Sequence, residues 1–410
     1  MKVRENEFDA IVVGSGISGG WAAKELCERD VKHVQDYTTM NKAPWEFDFR
    51  GKETKEIEEE YYVQKKTYAF DEGSKHFFVN DKENPYTTPK DKEFRWHRGY
   101  HVGGRSLPWG RQSYRLSPMD FEANAKEGVA IDWPIRYEDL APWYDYVEQF
   151  VGISGQNEGL PQLPDGKFQP PMDMYCVEKK VKTAIEKNWS NRMMTIGRTA
   201  NLTESKHNRA KCQYRNLCSR GCPYGGYFSS NSSTLPAATE TGNLTLRPNS
   251  IVESVIFDEE SGKASGVRII DAQTSETKEY FAKVIFLCAS TLGSTWIMLN
   301  SKSNRFPNGL GNSSETLGKY LMDHHFMVSS RAQFEGFEDK YHYGYRPNGI
   351  YVPRFQNLNK KHPDFIRGYG MQGGANRVGW GYGNRKLGFG AKFKEELMKP
   401  GPWEMNLLAF

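Results

Sequence analysis

The sequence predicts an α/β fold, α+β overall, in which a Rossmann-like nucleotide-binding domain is joined to a second domain built on an antiparallel sheet. Three observations predict it. The apolar run 8–13 leads into the glycine-rich turn 14–19 and then into a helical pattern. Alternating segments around a turn at 259–263 are typical of antiparallel strands. A small-residue turn and a helix follow the apolar run 284–288.

The glycines of the first turn form a G-x-G-x-x-G motif directly after an apolar strand. Gly14 permits the tight turn, Gly16 lets the backbone approach a pyrophosphate, and Gly19 lets helix and strand pack closely. The helix that follows offers free N–H groups and the positive end of its dipole to phosphates. The alternative is a glycine-rich turn without a ligand. The surrounding strand and helix favour a dinucleotide site.

The ribose contact is predicted less directly. A dinucleotide fold places an acidic residue at the end of its second strand, about 20 positions after the glycines. Asp36 has this spacing from Gly14, but the run 31–35 leaves scarcely room for a turn and a strand. We therefore expect a shortened second strand, with Asp36 as a substitute assigned on spacing alone.

Composition excludes several classes of protein. The 410 residues carry 55 basic and 51 acidic side chains, and a net charge of +4 is too small to indicate nucleic acid as a partner. The longest apolar runs are too short to cross a bilayer, so we expect no transmembrane segment. The charged N-terminus has no apolar core of a signal peptide. Six cysteines in this length do not form a disulfide scaffold.

The remaining elements follow from periodicity and turn residues. The charged segment 51–66 is typical of a solvated helix or loop. A helix is predicted over 137–151, since Pro142 lies early enough to be tolerated, and a Gly- and Pro-rich loop over 155–171. Strands are predicted at 244–248, 251–257, 264–270 and 277–288, and a loop leading into a helix over 289–299. After 330 the periodicity is weak, and no internal repeat is present.

A second glycine-rich stretch runs from His101 to Arg111. Gly103 and Gly104 precede the hydroxyl of Ser106, a pattern that suits close backbone approach to a flat or charged ligand. A tight turn beside the core is the alternative interpretation.

Three cysteines, Cys212, Cys218 and Cys222, stand within eleven residues as C-x5-C-x3-C-P. Thiolates are the usual ligands of iron–sulfur clusters, and a proline often follows the last cysteine. A zinc site completed by His207 and three unligated thiols are the alternatives. The isolated Cys27, Cys176 and Cys288 are predicted to be core residues.

These segments together resemble the glucose–methanol–choline (GMC) flavoprotein oxidoreductases over most of the chain, and most of all the branch with the gluconate, glucose and fructose dehydrogenase large subunits. The segments that carry the resemblance are 14–19, 101–109, 242–252, 287–294 and 317–324. The family's C-terminal segment, with its catalytic histidine, finds no match before Phe410. We expect that the chain lacks this segment, and no catalytic residue is assigned.

The resemblance implies FAD as the cofactor. Together with the spacing argument for Asp36, the predicted cofactor-binding residues are Gly14, Ser15, Gly16, Ser18, Gly19, Asp36, Gly103, Gly104, Ser106, Trp109, Val252, Ala289 and Ser290. We expect non-covalent binding, because Pro108 occupies the position of a histidine that links the flavin in one subgroup. In this branch the three cysteines hold a [3Fe–4S] cluster.

The implied domains are a discontinuous FAD-binding domain at 1–130 and 223–325, and a substrate-binding region at 131–222 and 326–410. The family resemblance makes the histidine pair at 324–325 a conformational landmark rather than a base.

The implied reaction oxidises a CH–OH group of a sugar, sugar acid or polyol, with hydride passing to flavin N5 and electrons leaving through the cluster to an external acceptor. A small subunit and a cytochrome are implied partners. The compartment is left open, since a chain without a signal peptide is cytoplasmic or is exported with a partner subunit. Two alternatives remain: a non-catalytic flavoprotein that serves as a binding subunit, and an NAD(P)H-dependent reductase.

Overall fold

The computed structural model of the chain describes residues 6–27, 39–47, 54–323, 328–378 and 389–410. Contacts divide the chain into two compact units. Unit 1 comprises residues 1–109, 207–209 and 217–322, and unit 2 comprises 110–206, 210–216 and 323–410. Each unit contains its own sheet. The predicted class, a nucleotide-binding fold with a second antiparallel sheet, is confirmed.

The helices and strands follow one another along the chain as two series. The helices are α1 (Ile17–Cys27), α2 (Lys55–Glu60), α3 (Pro118–Glu127), α4 (Tyr137–Val151), α5 (Cys176–Asn188), α6 (Thr234–Glu240), α7 (Ser290–Asn300) and α8 (Ala391–Met398). The strands are β1 (Glu7–Val13), β2 (Thr195–Ile196), β3 (Ser250–Asp258), β4 (Lys263–Asp271), β5 (Thr277–Leu287), β6 (Val328–Phe334), β7 (Ile350–Val352), β8 (Met371–Arg377) and β9 (Trp403–Ala409).

The sheet of unit 1 has the order β1-β5-β4-β3. β1 and β5 are parallel, with Val13 opposite Leu287, and the other pairs are antiparallel. Buried aliphatic side chains such as Val255, Ile269 and Ile297 pack between this sheet and α7. Because the two parallel strands end at the same edge, the loops that follow them are brought side by side. This edge positions the candidate site.

The sheet of unit 2 has the order β2-β7-β8-β9-β6, and every described pair in it is antiparallel. Val177 on α5 packs into the same cluster as Met194 and Trp403, all at most 2% exposed. The sequence hides these strands, because adjacent glycines at 373–374 and exposed polar residues on β6 break the alternation.

Two elements predicted from the sequence have different outcomes in the structure. The helix predicted at 137–151 is confirmed as α4, with Pro142 in its second turn. The strand predicted at 244–248 is wrong, and β3 begins only at Ser250. Pro248 cannot donate to a strand partner, and the guanidinium of Arg247 instead binds Asp271 at 2.6 Å.

The predicted functional domains change over near residue 130, whereas the compact units change over after Trp109. The assignment of functions to these regions stays a prediction. No helix within the described ranges combines the length and the apolar character needed to cross a bilayer.

Candidate cofactor site

The first glycine turn has no room for side chains at two of its three positions. Gly14 has a φ of +101°, and a Cβ built on it would lie 2.4 Å from the carbonyl oxygen of Cys288. A Cβ on Gly19 would lie 1.8 Å from the carbonyl oxygen of Gly14. Only glycine satisfies both positions, since real Cβ atoms do not approach backbone so closely. The turn therefore holds α1 tightly against the ends of β1 and β5.

Gly16 differs from its two companions. Among the described residues, no atom lies within 4 Å of a Cβ built on Gly16. Its carbonyl oxygen accepts hydrogen bonds of 2.8 Å from the Gly20 amide and the Ser230 hydroxyl. α1 begins at the next residue, so its first amides open toward the same space. The space beside Gly16 is open because glycine has no Cβ, and an open space at a helix N-terminus fits a pyrophosphate.

The second glycine stretch meets the first. Gly103 and Gly104 have φ of +89° and +48°. A Cβ on Gly104 would lie 3.3 Å from the Cα of Gly16, and the Gly103 amide donates to the hydroxyl of Ser15 at 3.1 Å. Two patterns almost ninety positions apart in sequence thus form one backbone surface. Their shared surface favours the ligand interpretation of both stretches over isolated turns.

Hydrogen bonds of a buried hydroxyl and of an amide side chain hold the second glycine loop in place. Ser106 is fully buried, donates to the Gly103 carbonyl at 2.6 Å and accepts from the Ser230 amide at 2.9 Å. The side chain of Asn231 donates to the carbonyl of Val102 at 3.2 Å. Sequence reasoning missed Ser230 and Asn231. The signal available was the polar run before α6, which reads as a helix start rather than as a wall of the site.

Trp109 closes this loop through packing. Its indole nitrogen donates to the Phe228 carbonyl at 3.0 Å, and its ring stands edge-on to the Phe228 ring at 6.3 Å. Trp21 of α1 stacks on the same phenylalanine at 6.4 Å. The indole is thereby anchored within unit 1, and its contact with a cofactor remains a prediction.

The other predicted contacts are distributed around the sheet edge. Ser18 is exposed in the first turn of α1, and Val252 lies half-buried on β3 opposite Ile269. Ala289 is the second residue after β5 and lies beside Gly14, and Ser290 begins α7 with an unusual φ of +68°. Their contacts with a cofactor stay predictions. Asp36 and the pair at 324–325 lie outside the described residues.

His101 introduces a titratable group into the second loop. Its Nε2 lies 2.9 Å from the carbonyl oxygen of Gly104, and its ring packs beside that of Phe77 at 5.0 Å. Burial lowers the pKa of His101 to about 4. The loop therefore carries a neutral imidazole at neutral pH.

The three clustered cysteines are divided between the units. Cys212 belongs to unit 2, and Cys218 and Cys222 belong to unit 1. Backbone amides donate to two of the sulfurs, Tyr214 to Cys212 at 3.4 Å and Gly226 to Cys222 at 3.3 Å. Across the described residues, no group of three or more His, Cys, Asp or Glu side chains is arranged to hold a metal ion. Because a group held by all three cysteines would join the two units, the iron–sulfur and zinc hypotheses both stay predictions.

Unit 2 has a cleft of about 470 Å³ over the β6–β9 pair, lined by Arg331, Ala332, Gln333 and Glu404. Glu404 is 6% exposed and forms an ion pair with Arg331. The amide of Gln333 donates to Glu404 at 3.0 Å. The hydrogen bond from Arg331 holds the pKa of Glu404 below its usual range, so its carboxylate is ionised at neutral pH. The lining is polar and carries both donors and acceptors.

Comparison with solved structures agrees with this architecture. A crystal structure of a formate oxidase aligns with 98% of this chain and 72% of its own, with a TM-score of 0.51 and 12% identity. At that identity the likeness concerns the fold alone.

Several curated proteins are similar in sequence to this chain. A 2-methyl-1,2-propanediol dehydrogenase of Mycolicibacterium austroafricanum is 27% identical over 91% of this chain and 64% of its own length. The fructose dehydrogenase large subunit of Gluconobacter japonicus is 26% identical over 54% of this chain and 41% of its own. The gluconate 2-dehydrogenase flavoprotein of Pantoea cypripedii is 23% identical over 72% and 52%. The chain thus spans about two fifths to two thirds of the length of these relatives. The family model for GMC oxidoreductases matches residues 8–326, and the chain belongs to the GMC oxidoreductase family.

Proposed function

We propose that this chain binds FAD non-covalently in unit 1 and oxidises a CH–OH group of a polyol, sugar or sugar acid, with electrons passing to an external acceptor. The observation that carries the proposal is the meeting of Gly16 and Gly104, which leaves one side chain-free backbone surface next to the start of α1. When bound, FAD would supply a two-electron acceptor for a carbon-bound hydride.

In this proposal the two glycine loops of unit 1 bind and position the cofactor. Gly16 and the first amides of α1 would hold the pyrophosphate, because unpaired N–H groups and the helix dipole attract anions. Gly103 and Gly104 would let the second loop lie flat along the cofactor, and Ser106 fixes that loop through its buried hydroxyl. Asp36 stays the proposed ribose contact on spacing alone.

A hydroxyl-rich substrate is supported by two findings. Relatives named for a diol, a ketohexose and a sugar acid all align with this chain. The cleft on unit 2 also offers the guanidinium of Arg331, the amide of Gln333 and the carboxylate of Glu404. Such planar groups bind the paired donors and acceptors of neighbouring hydroxyls. We propose no base for the reaction, since no described residue has been tied to that role.

The electron route beyond the cofactor is proposed only as far as an external acceptor. The three cysteines are divided between the two units, so no step is assigned to an iron–sulfur cluster. The cluster remains a separate prediction of the family branch, as do the small subunit and cytochrome partners. About three irons with acid-labile sulfide per chain in anaerobically purified protein would support the cluster. Zinc, or no metal, would contradict it.

The test of the proposed function starts from the absorption spectrum of the purified chain. Flavin bands that acid precipitation releases into the supernatant are expected for non-covalent FAD. Turnover of 2-methyl-1,2-propanediol, fructose, gluconate or sorbitol with an artificial acceptor would then support the dehydrogenase. Bound flavin that none of these compounds reduces would favour the non-catalytic flavoprotein. Reduction by NADH instead would favour the NAD(P)H-dependent reductase.

A further inference from the structure

The second glycine loop is braced by a side chain of its own. The Nε2 of His101 lies 2.9 Å from the carbonyl oxygen of Gly104, three residues later. A carbonyl only accepts, so this nitrogen carries the hydrogen. The amide of Gly104 donates back to the carbonyl of His101 at 3.1 Å. One residue therefore holds Gly104 through both its side chain and its backbone.

The imidazole ring of His101 packs against Phe77 and occupies space left free by Gly99. Its ring packs at 5.0 Å from the ring of Phe77, which is 2% exposed. A Cβ on Gly99 would come 2.9 Å from the Cε1 atom of His101, so the absence of a side chain at Gly99 makes room for the ring. The brace is thus packed on one side by an aromatic core residue and on the other by glycine backbone.

The braced residue is the one that meets the first loop. Gly104 has a φ of +48° and lies against Gly16. Two adjacent glycines are the most flexible pair a chain can contain, and fixing each backbone costs about 1–2 kcal/mol. A loop that is fixed before binding does not incur this cost when the ligand arrives, and its affinity is higher for that reason.

We propose that His101 is a positioning residue that holds Gly104 against Gly16 and so preorganises the second loop for the cofactor. The inference rests on the proposed function only for the identity of that cofactor. The brace itself is a property of the cofactor-free chain and can be measured there. It adds to the glycines and to Ser106 a group that the sequence pattern alone does not single out.

Three substitutions separate the hydrogen bond from the packing. H101F keeps a ring of similar size and loses the donor. H101N keeps an amide but is too short to place it at the Nε2 position. H101Q places an amide nitrogen where Nε2 was and is expected to restore the bond. His76 provides the matched control, since it packs at 4.0 Å on the same Phe77 ring. Among the described residues no hydrogen bond joins His76 to the loop, so H76F tests packing alone.

The first readout is amide hydrogen exchange of the cofactor-free chain at Gly104, Ser106 and Leu107, which donate within the turn. H101F and H101N are expected to exchange about 5- to 10-fold faster at these amides, the ratio for one ordinary hydrogen bond. H101Q and H76F are expected to stay within about twofold of the wild type. If the exchange rates of these amides are unchanged in both H101F and H101N, the proposal is overturned, and the global stability of the two variants does not alter that conclusion.

The second readout is the dissociation constant of FAD, measured by quenching of flavin fluorescence. The same two variants are expected to bind about 5- to 10-fold more weakly, with H101Q and H76F near the wild type. Faster exchange without any weakening of FAD binding would overturn the positioning role. If exchange responds as expected but the wild type binds no FAD, the brace stands and the proposed function fails.

Discussion

Replacing Gly16 by alanine separates ligand space from fold. No described atom lies within 4 Å of a Cβ at this position, so the cofactor-free protein should change its free energy of unfolding by less than about 0.5 kcal/mol. The methyl group would stand where a pyrophosphate must approach the backbone. We expect the FAD dissociation constant to rise by about 100-fold, which corresponds to about 2.7 kcal/mol.

Gly19→Ala is the matched control in the same motif. Its Cβ would lie 1.8 Å from the carbonyl oxygen of Gly14, so α1 must shift away from the strand ends. Overpacking of this kind costs 1–3 kcal/mol in cores with some freedom, and a clash with backbone should cost at least about 3 kcal/mol. The two alanine variants thus predict opposite patterns: weak binding with a stable fold for Gly16, and an unstable fold for Gly19.

The assay is urea unfolding of each cofactor-free variant, followed by titration with FAD under the same conditions. The reasoning would be refuted if G16A bound FAD as tightly as the wild type, since the open space would then not hold the pyrophosphate. A loss of stability in G16A equal to that in G19A would also refute it, because the space would then belong to the fold.

Three further outcomes are expected. The pKa of His101 is about 4 against 6.5 for a free histidine, so between these pH values the unfolded chain binds a proton that the native chain does not bind. The free energy of unfolding should therefore be highest above pH 6.5 and fall by about 3 kcal/mol as the pH drops to 4. Urea unfolding across this range should show a smaller dependence of that free energy on pH in H101Q. Glu178→Gln should lower the free energy of unfolding of unit 2 by about 3–5 kcal/mol, because it leaves the guanidinium of Arg346, which is 3% exposed and paired at 2.6 Å, without a counter-charge. The control is E122Q, which removes the exposed ion pair of Glu122 with Lys126 and should cost less than about 1 kcal/mol. Equal costs of the two substitutions in denaturant unfolding would contradict this prediction. Gly103→Ala must hold a φ of +89° and should lower the apparent Tm and weaken FAD binding together, whereas normal values for both would mean the turn tolerates a side chain.

Local sequence patterns predicted the elements whose conformation is determined by residues close together in the chain. The run 8–13 with the glycines at 14–19 predicted β1, the turn and α1, since an apolar run followed by three glycines at fixed spacing leaves few other conformations. The helix α4 was also predicted over its full length, because its helical pattern is local and Pro142 lies in an early turn. A second antiparallel sheet was expected, but its strands β6 to β9 could not be located, because they owe their pairing to partners distant in sequence and contain glycine and exposed polar residues.

The sequence by itself determined the family, the glycines of the candidate cofactor site and the nucleotide-binding class, because each depends on residue types at fixed short spacings. Only the tertiary structure decided that Gly104 lies on Gly16, that Ser230 and Asn231 support the loop between them, and that His101 braces it. These contacts join residues from three separate stretches of the chain, and no local pattern specifies which of them will meet. The same limit holds for the cysteines: their spacing predicts a cluster, but ligation depends on where three sulfurs lie in space, and these three are divided between the two units.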